Sequence, residues 1–269
     1  MILIYVYGSG LGHLKRVSDF LCIKNINPEE CVILTNSSYH HFWENSWQVI
    51  YLEDEIFKQK KRFCTLFKKI CKEYSIQELI VDVFPLGFYG ELTDCLLTFK
   101  KKKTLLARIL SGKYFTCYSS PFYYDTIYIL EKGVDHNKYL GKEKINLQLP
   151  YQLGNPEFNY PLFKYFLIIH SQPESEIDVL YKTALMYRTS QKIIIVSMML
   201  PGNKFRDKDL IIFHQKQVSL ELIKHAEIVF SALGFNSYRL LGSWKEKWKP
   251  IPFPRKFDNQ FLRKQVNDL

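Results

Sequence analysis

The chain has 269 residues, of which 47% are hydrophobic and 24% charged, a balance typical of a globular protein with one large domain or two of about 130 residues. Its 37 basic and 27 acidic residues give a net charge of +10, which favours an anionic partner: nucleic acid, an anionic membrane surface or a phosphorylated small molecule. No apolar run reaches the roughly 18 residues of a membrane-spanning helix, which excludes a transmembrane class.

The cysteines and the first residues indicate a cytosolic protein. The six cysteines include no C-x-x-C pair and lie mostly in apolar segments, a pattern typical of reduced, buried thiols rather than a disulfide framework or a zinc site. The apolar run at the start is six residues long, with no basic segment before it, so we expect no signal peptide. We therefore expect a cytoplasmic protein that could touch a membrane peripherally.

Short apolar runs alternate with amphipathic stretches along the first half of the chain. This alternation predicts repeated βα units and a parallel sheet. The predicted strands are Ile2–Tyr7, Cys31–Thr35, Val49–Leu52, Leu79–Val83, Lys103–Leu110 and Asp125–Leu130. The predicted helices between them include Leu14–Ile23, Glu55–Tyr74 and Leu92–Phe99.

A segment with three prolines, Leu149–Pro161, interrupts this pattern and is the best candidate for a domain linker. The alternation then restarts with a strand at Tyr165–Ile169 and a helix at Ser175–Met186, and it continues to a final helix at Phe257–Val266. We therefore predict two domains, residues 1–155 and 156–269. Two α/β halves joined by a linker imply a cleft between the domains, and ligands of such folds bind beyond the carboxyl ends of the strands.

The first predicted strand leads directly into a turn with three glycines, Gly8, Gly10 and Gly12, followed by His13. Glycines allow positive φ and a close approach of the backbone to a ligand, and the following helix points its unpaired N–H groups at this place. The dinucleotide fingerprint G-x-G-x-x-G does not fit, because its last glycine is replaced by His13. The turn therefore indicates a site for an anion or an oxygen-rich ligand, or a tight turn without a ligand.

Two other strand ends of the chain carry polar residues. Asp82 ends a strand of the first half, where a carboxylate can orient an imidazole or bind a sugar hydroxyl. Glu91 follows about one helical turn after Gly87, the last residue of the Asp82–Gly87 segment, and could play a similar polar role. In the second half, Gly234, Asn236 and Ser237 follow a strand and precede a helix, as the opening glycines do. At both places a loop that only makes backbone hydrogen bonds or caps a helix remains the alternative.

A third polar group precedes the last predicted helix. Arg255, Asp258 and Gln260 lie close together there. Such side chains suit a polyhydroxylated or phosphorylated ligand, although a solvated loop has the same composition.

Taken in order, these motifs resemble the GT-B glycosyltransferases, in particular relatives of the peptidoglycan N-acetylglucosaminyltransferase. The resemblance rests on the Gly8–His13 turn, Asp82 with the Phe84–Gly87 segment, the Gly234–Ser237 turn, and the Pro254–Gln260 segment. Each motif is moderately specific, and the ordered set extends from end to end of the chain. The resemblance implies an α/β protein whose two Rossmann-like domains face each other across a cleft, the second domain being short.

The resemblance also implies roles for particular residues. His13 would be a catalytic or acceptor-orienting residue, with Asp82 as the carboxylate that orients it. Gly8, Gly10 and Gly12 would form the acceptor or phosphate loop. The donor-binding residues of the second domain would be Gly234, Asn236, Ser237, Arg255 and Gln260. Such enzymes need no cofactor and no metal, because helix N-termini can neutralise the diphosphate leaving group.

The chain also departs from the family pattern. The position six residues after Gly234, which is acidic in the family and grips the donor ribose, is Leu240. The turn after the first strand of the second half, His170–Ser175, has no glycine, and the chain ends at Leu269, where relatives usually continue. These departures leave two hypotheses open, a glycosyltransferase and a GT-B-like protein that has lost catalysis and acts as a binding or scaffolding subunit.

The expected partners follow from the transferase hypothesis. They are a nucleotide-diphosphate sugar and an unidentified acceptor, for which the basic charge suggests a phosphorylated or lipid-linked compound. Nucleic acid is not an expected partner, because no strand interleaves basic and aromatic residues in the way that nucleic-acid-binding sheets do.

Overall fold

The computed structural model describes residues 1–8, 10–42, 47–151, 161–198, 208–214 and 218–269. These residues form two compact units. The first unit comprises Met1–Leu149 with Lys256–Asn259, and the second comprises Pro150–Arg255 with Gln260–Leu269. The domain boundary predicted between residues 155 and 156 lies outside the described residues. Residues 256–259, predicted to belong to the second domain, pack with the first unit instead.

The first unit is built on a seven-stranded parallel sheet in the order β3-β2-β1-β4-β5-β6-β7. Its central strands are continuous apolar runs, because a parallel sheet is covered by helices on both faces. The chain order reverses between β1 and β4, which leaves a crevice at the carboxyl end of these two strands. The strands are β1 (Ile2–Val6), β2 (Cys31–Thr35), β3 (Gln48–Tyr51), β4 (Glu78–Asp82), β5 (Lys102–Ala107), β6 (Tyr124–Ile129) and β7 (Gly141–Asn146).

The helices of the first unit connect these parallel strands. They are α1 (Leu11–Ile23), α2 (Asp54–Lys58), α3 (Lys60–Glu73), α4 (Thr93–Thr98) and α5 (Gly112–Cys117). The sequence did not predict α5 or β7. The latter is an edge strand of mostly exposed polar residues and carries no apolar alternation. The prediction that α1 starts at Leu14 was wrong: it begins at Leu11 with Gly10 as its N-cap, so Gly12 and His13 lie in its first turn.

The second unit has a five-stranded parallel sheet in the order β10-β9-β8-β11-β12, with its reversal between β8 and β11. Apolar residues of these strands pack on both faces of the sheet. The strands are β8 (Tyr165–Ile169), β9 (Lys192–Ser197), β10 (Leu210–His214), β11 (Ile228–Ala232) and β12 (Trp248–Ile251). The helices are α6 (Glu174–Tyr187), α7 (Leu220–His225), α8 (Phe235–Leu241) and α9 (Gln260–Val266).

The predicted α/β class with two Rossmann-like domains is confirmed, since both sheets are parallel and are built from βα units. Within the described ranges, no helix is long and apolar enough to cross a membrane.

Candidate active site

The side chains of His13, Arg16 and Asp82 meet at the carboxyl edge of the first sheet. Asp82 is the last residue of β4, and His13 and Arg16 lie in α1, the helix that follows β1. Residues three apart share one face of a helix, so both α1 side chains can reach the same carboxylate. The three residues therefore lie at the reversal point of the sheet, where ligands of doubly wound folds bind.

The contacts among these three residues are short and directional. Nδ1 of His13 lies 2.7 Å from Oδ2 of Asp82. Arg16 donates to both oxygens of Asp82, from Nε to Oδ1 over 2.7 Å and from Nη2 to Oδ2 over 2.6 Å. Its Nη2 also lies 2.9 Å from Nδ1 of His13. The side chains of Asp82 and Arg16 are almost fully buried, whereas 23% of the His13 side chain is exposed.

These contacts set the charges of the cluster. Burial alone would raise the pKa of Asp82, but the Arg16 guanidinium and the hydrogen bond from His13 hold it well below its usual range. Burial, together with the positive charge of Arg16, lowers the pKa of His13, although the hydrogen bond to Asp82 opposes this change. The structure therefore favours a neutral imidazole beside an ionised carboxylate at neutral pH.

The three predicted loop glycines do not adopt left-handed backbone, and Gly8 is needed for space instead. None of Gly8, Gly10 and Gly12 has positive φ, so the expected reason for glycine, left-handed backbone, is wrong. A β-carbon on Gly8 would stand 2.5 Å from Cδ2 of His13, so position 8 must lack a side chain for the imidazole to lie there. The N–H of Gly8 donates to Oδ1 of Asn36 over 2.8 Å, which anchors the turn to the end of β2.

The backbone just after Asp82 is strained. Val83 has φ +67°, which is rare for a β-branched residue, and the N–H of Phe84 donates to the carbonyl of Asp82 over 2.8 Å. A positive φ with this hydrogen bond defines a γ-turn of the strained kind, at a cost of about 1–3 kcal/mol. The turn directs Phe84 toward the site, where its ring stacks on His13 with centroids 6.0 Å apart.

Residues 256–259 of the first unit bring a further carboxylate to this edge. Asp258 accepts a hydrogen bond from Nη2 of Arg108 over 2.9 Å, and Nε of Arg108 lies 3.5 Å from Glu131. Arg108 and Glu131 follow β5 and β6, so both lie at the same edge as Asp82. The positive charge of Arg108 also contributes to the lowered pKa of His13.

Glu91 is a buried carboxyl group of the same unit. Its side chain accepts hydrogen bonds from the Tyr5 hydroxyl and from the N–H of Tyr89. Burial raises the pKa of Glu91 to about 7, although these hydrogen bonds oppose the change. The carboxyl group holds together β1 and the segment that follows Asp82, and Gly87, with φ +83°, leaves the space that it occupies.

The predicted donor residues of the second unit fall into two groups. Gly234 is the N-cap of α8, and Asn236 and Ser237 lie in its first turn. A β-carbon on Gly234 would have no atom within 4 Å, so the turn has open space beside it. Oδ1 of Asn236 accepts a hydrogen bond from Arg239 over 3.2 Å.

The other two predicted donor residues, Arg255 and Gln260, already have protein partners. Arg255 forms a two-point ion pair with Glu176, and Glu176 also lies 2.9 Å from Nε2 of His170. Gln260 is buried, and its Oε1 accepts the N–H of Phe253 over 3.0 Å. The ion pair was not evident in the sequence, since 79 positions separate Arg255 from Glu176.

The structure thus brings together Gly8, His13 and Asp82 among the predicted residues, and it adds Arg16, which the sequence analysis missed. The spacing of His13 and Arg16 on one helix face was the available signal, but it did not show which carboxylate they share. Leu240, at the position that is acidic in the family, packs against the core of the second unit.

No protein-family model and no curated protein matches this chain. Solved structures match it in fold over most of their length. S. aureus MnaA in a co-structure with UDP has a TM-score of 0.63 at 8% identity, over 98% of this chain and 81% of that one.

Two further structures each have a TM-score of 0.53 at 10% identity. For the UDP-GlcNAc 2-epimerase from Methanocaldococcus jannaschii, the match covers 100% of this chain and 92% of that one. For a UGT transferase from Siraitia grosvenorii in complex with UDP, it covers 98% and 82%. At such low identity these likenesses show the fold alone. The chain has a GT-B glycosyltransferase-like fold, as its ordered motifs predicted.

Proposed function

We propose that this protein transfers a sugar from a nucleotide-diphosphate donor to an acceptor hydroxyl, with inversion and without a metal ion. In the proposed step His13 takes the hydroxyl proton on Nε2 while the acceptor oxygen bonds to the anomeric carbon of the donor. The bond from that carbon to the diphosphate breaks, and the nucleoside diphosphate leaves with the electron pair. The fold supports this proposal, because solved structures of this fold include a UDP-GlcNAc 2-epimerase and a UGT transferase in complex with UDP.

The observation that carries the proposal is the contact between His13 and Asp82. Nδ1 is held by the carboxylate, whereas Nε2 makes no hydrogen bond to any residue in the described ranges. A base needs a free lone pair on a group whose orientation is fixed, and this arrangement supplies both. The side chain is partly exposed at the reversal point of the sheet, so an acceptor hydroxyl can reach it.

For the donor, we propose the turn Gly234–Ser237 as the place of the phosphates. The open space beside Gly234 supports this assignment, because a phosphate could approach the backbone there. Arg255 now pairs with Glu176, and Gln260 accepts a hydrogen bond from Phe253. These two residues would bind the donor only if it replaced those contacts or added to them.

For the acceptor, we propose a phosphorylated or lipid-linked compound. Helix α3 buries Phe63, Phe67 and Ile70 and exposes a row of basic side chains. The exposed basic residues are Lys60, Lys61, Arg62, Lys68, Lys69 and Lys72. Such a face attracts anionic groups, including an anionic membrane surface that carries the acceptor. We propose a cytoplasmic protein with peripheral membrane contact on this basis.

The test of this function is release of a nucleoside diphosphate from a panel of nucleotide sugars, with lipid-phosphate and soluble acceptors. We expect one donor to be turned over by the full chain, and His13→Ala to lose at least about a hundredfold in rate, as loss of a general base does. His136→Ala is the matched control, because His136 is exposed on a short 3₁₀ helix. Undiminished turnover by His13→Ala would remove His13 from the mechanism.

The second candidate is a GT-B-like protein that binds or scaffolds without catalysis. Two observations favour it. The side chain of Arg255, expected to bind the donor, is paired with Glu176, and Leu240, at the position where the family has an acidic residue, packs against the core. Calorimetry with uridine, guanosine and thymidine diphosphates separates the candidates. Absence of saturable binding up to millimolar ligand would support the scaffold and contradict the transferase.

A further inference from the structure

We propose that Arg16 is a positioning residue that orients the Asp82 carboxylate and thereby determines which nitrogen of His13 carries the proton. The proposal rests on the proposed role of His13 as the base, and it adds a residue that the motif resemblance does not include. As a positioning residue, Arg16 makes no contact with the acceptor. It acts through Asp82 and through the imidazole.

Arg16 fixes the geometry of the Asp82 carboxylate. Arg16 engages both oxygens of Asp82, Oδ1 from Nε and Oδ2 from Nη2. A two-point pair with a planar guanidinium fixes the plane of a carboxylate, which a single ammonium cannot do. Both side chains are almost fully buried, so water does not compete for these contacts.

The contact between Asp82 and His13 determines which ring nitrogen carries the proton. An ionised carboxylate can only accept, so the 2.7 Å contact of Oδ2 with Nδ1 requires a proton on Nδ1. In the neutral ring the lone pair is then on Nε2, which is the nitrogen left for the acceptor. The Asp82 carboxylate, which Arg16 holds in place, thus selects the tautomer that a base at this place needs.

Arg16 also disfavours the binding of a second proton to the His13 ring. Nη2 of Arg16 lies 2.9 Å from Nδ1, and its positive charge disfavours the imidazolium form. The charged groups that act on the imidazole are Arg16 from its own helix, Asp82 from β4 and Arg108 from the end of β5. Of these, the two arginines lower the pKa of His13 and Asp82 raises it. Arg108 is itself balanced by Asp258 and Glu131.

The test is a ¹⁵N and ¹³C NMR titration of the His13 ring in the full chain, with the signal assigned by its loss in His13→Ala. In Arg16→Gln we expect the pKa of His13 to rise by about one unit, a tenfold larger protonated-to-neutral ratio at a given pH, and the Nδ1–H tautomer to become mixed. In Asp82→Asn we expect the pKa of His13 to fall, since the opposing charge is removed. Lys142→Gln, on the exposed edge strand β7, is the control that removes a positive charge elsewhere, and it should leave the titration unchanged.

Arg16→Lys separates charge from packing. It keeps the positive charge but not the two-point contact, so we expect a low His13 pKa with a mixed tautomer. A His13 pKa in Arg16→Lys as high as in Arg16→Gln would assign the effect to lost packing and overturn the proposal. A wild-type titration and a pure Nδ1–H tautomer in a folded Arg16→Gln would also overturn it.

If Arg16→Gln does not fold, Arg16→Lys alone decides, and a pure Nδ1–H tautomer in that variant contradicts the proposal. The titration needs no turnover. Failure of the proposed transferase therefore shows in the donor panel, and failure of this proposal shows in the spectra.

Discussion

The imidazole of His13 lies in the space that a side chain at Gly8 would fill: a β-carbon on Gly8 would stand 2.5 Å from Cδ2 and 3.0 Å from Nε2 of the ring. The glycine is therefore required for the room that it leaves and not for its backbone angles. It lies beside the nitrogen that we propose as the base, and its N–H is anchored to Asn36.

Gly8→Ala is expected to displace the imidazole from Asp82. We expect a loss of stability of about 1–3 kcal/mol from overpacking and a loss of at least about tenfold in turnover from misplacement of the base. Chemical denaturation and the donor-release assay measure the two effects. Gly112→Ala is the control, because a β-carbon there has no neighbour within 4 Å. Wild-type stability and turnover in Gly8→Ala would contradict this account of the turn.

Gly234→Ala tests whether the α8 turn receives the donor. Nothing lies within 4 Å of a β-carbon at this N-cap, so we expect stability to change by less than about 1 kcal/mol. If phosphates approach the backbone there, the methyl group should weaken nucleoside-diphosphate binding by about tenfold or more, measured by calorimetry. Unchanged affinity in the variant would place the diphosphate elsewhere.

Glu91 is expected to make stability depend on pH. Burial raises the pKa of this carboxyl from 4.5 to about 7 in the folded state, so the folded protein binds the proton more tightly than the unfolded chain does. The resulting stabilisation, about 3 kcal/mol, is fully present below pH 4.5 and is lost as the pH rises through 7.

Glu91→Gln cannot ionise, so the variant should not lose this stabilisation as the pH rises. The difference in unfolding free energy, variant minus wild type, should therefore increase between pH 5 and 8. Denaturant titrations at several pH values measure this difference, with Glu143→Gln on the exposed edge strand as the control. Parallel pH profiles of the wild type and Glu91→Gln would show that Glu91 does not titrate in this range.

Leu240→Glu places a carboxylate where the family has one. Because Leu240 packs against the core of the second unit, we expect a loss of stability of about 1–3 kcal/mol and no gain in nucleotide affinity. Thermal unfolding and calorimetry measure these, and Leu97→Glu at an exposed position of α4 is the control. Tighter nucleotide binding by Leu240→Glu would show that the position faces the ligand.

Much of the fold could be predicted from local patterns. The apolar runs of β1, β2 and β8 are long enough to be recognised as buried parallel strands, and the turn residues mark where each ends. The strand β7 and the start of α1 could not be predicted in this way. The sequence of β7 is polar, and its pairing with β6 holds the strand in place. Helix α1 begins beside glycines, which local propensity assigns to a loop.

The α/β alternation and the polar residues at the strand ends could be predicted locally, because hydrophobic periodicity and turn chemistry act over a few residues. Which of those polar groups meet depends on the order of the strands in the folded sheet. Arg16 and Asp82 are 66 positions apart, and they share a carboxylate contact because the strand order places β4 beside β1. Likewise Leu240 packs against a core to which residues from Tyr165 to Trp248 contribute, an arrangement that no local pattern encodes.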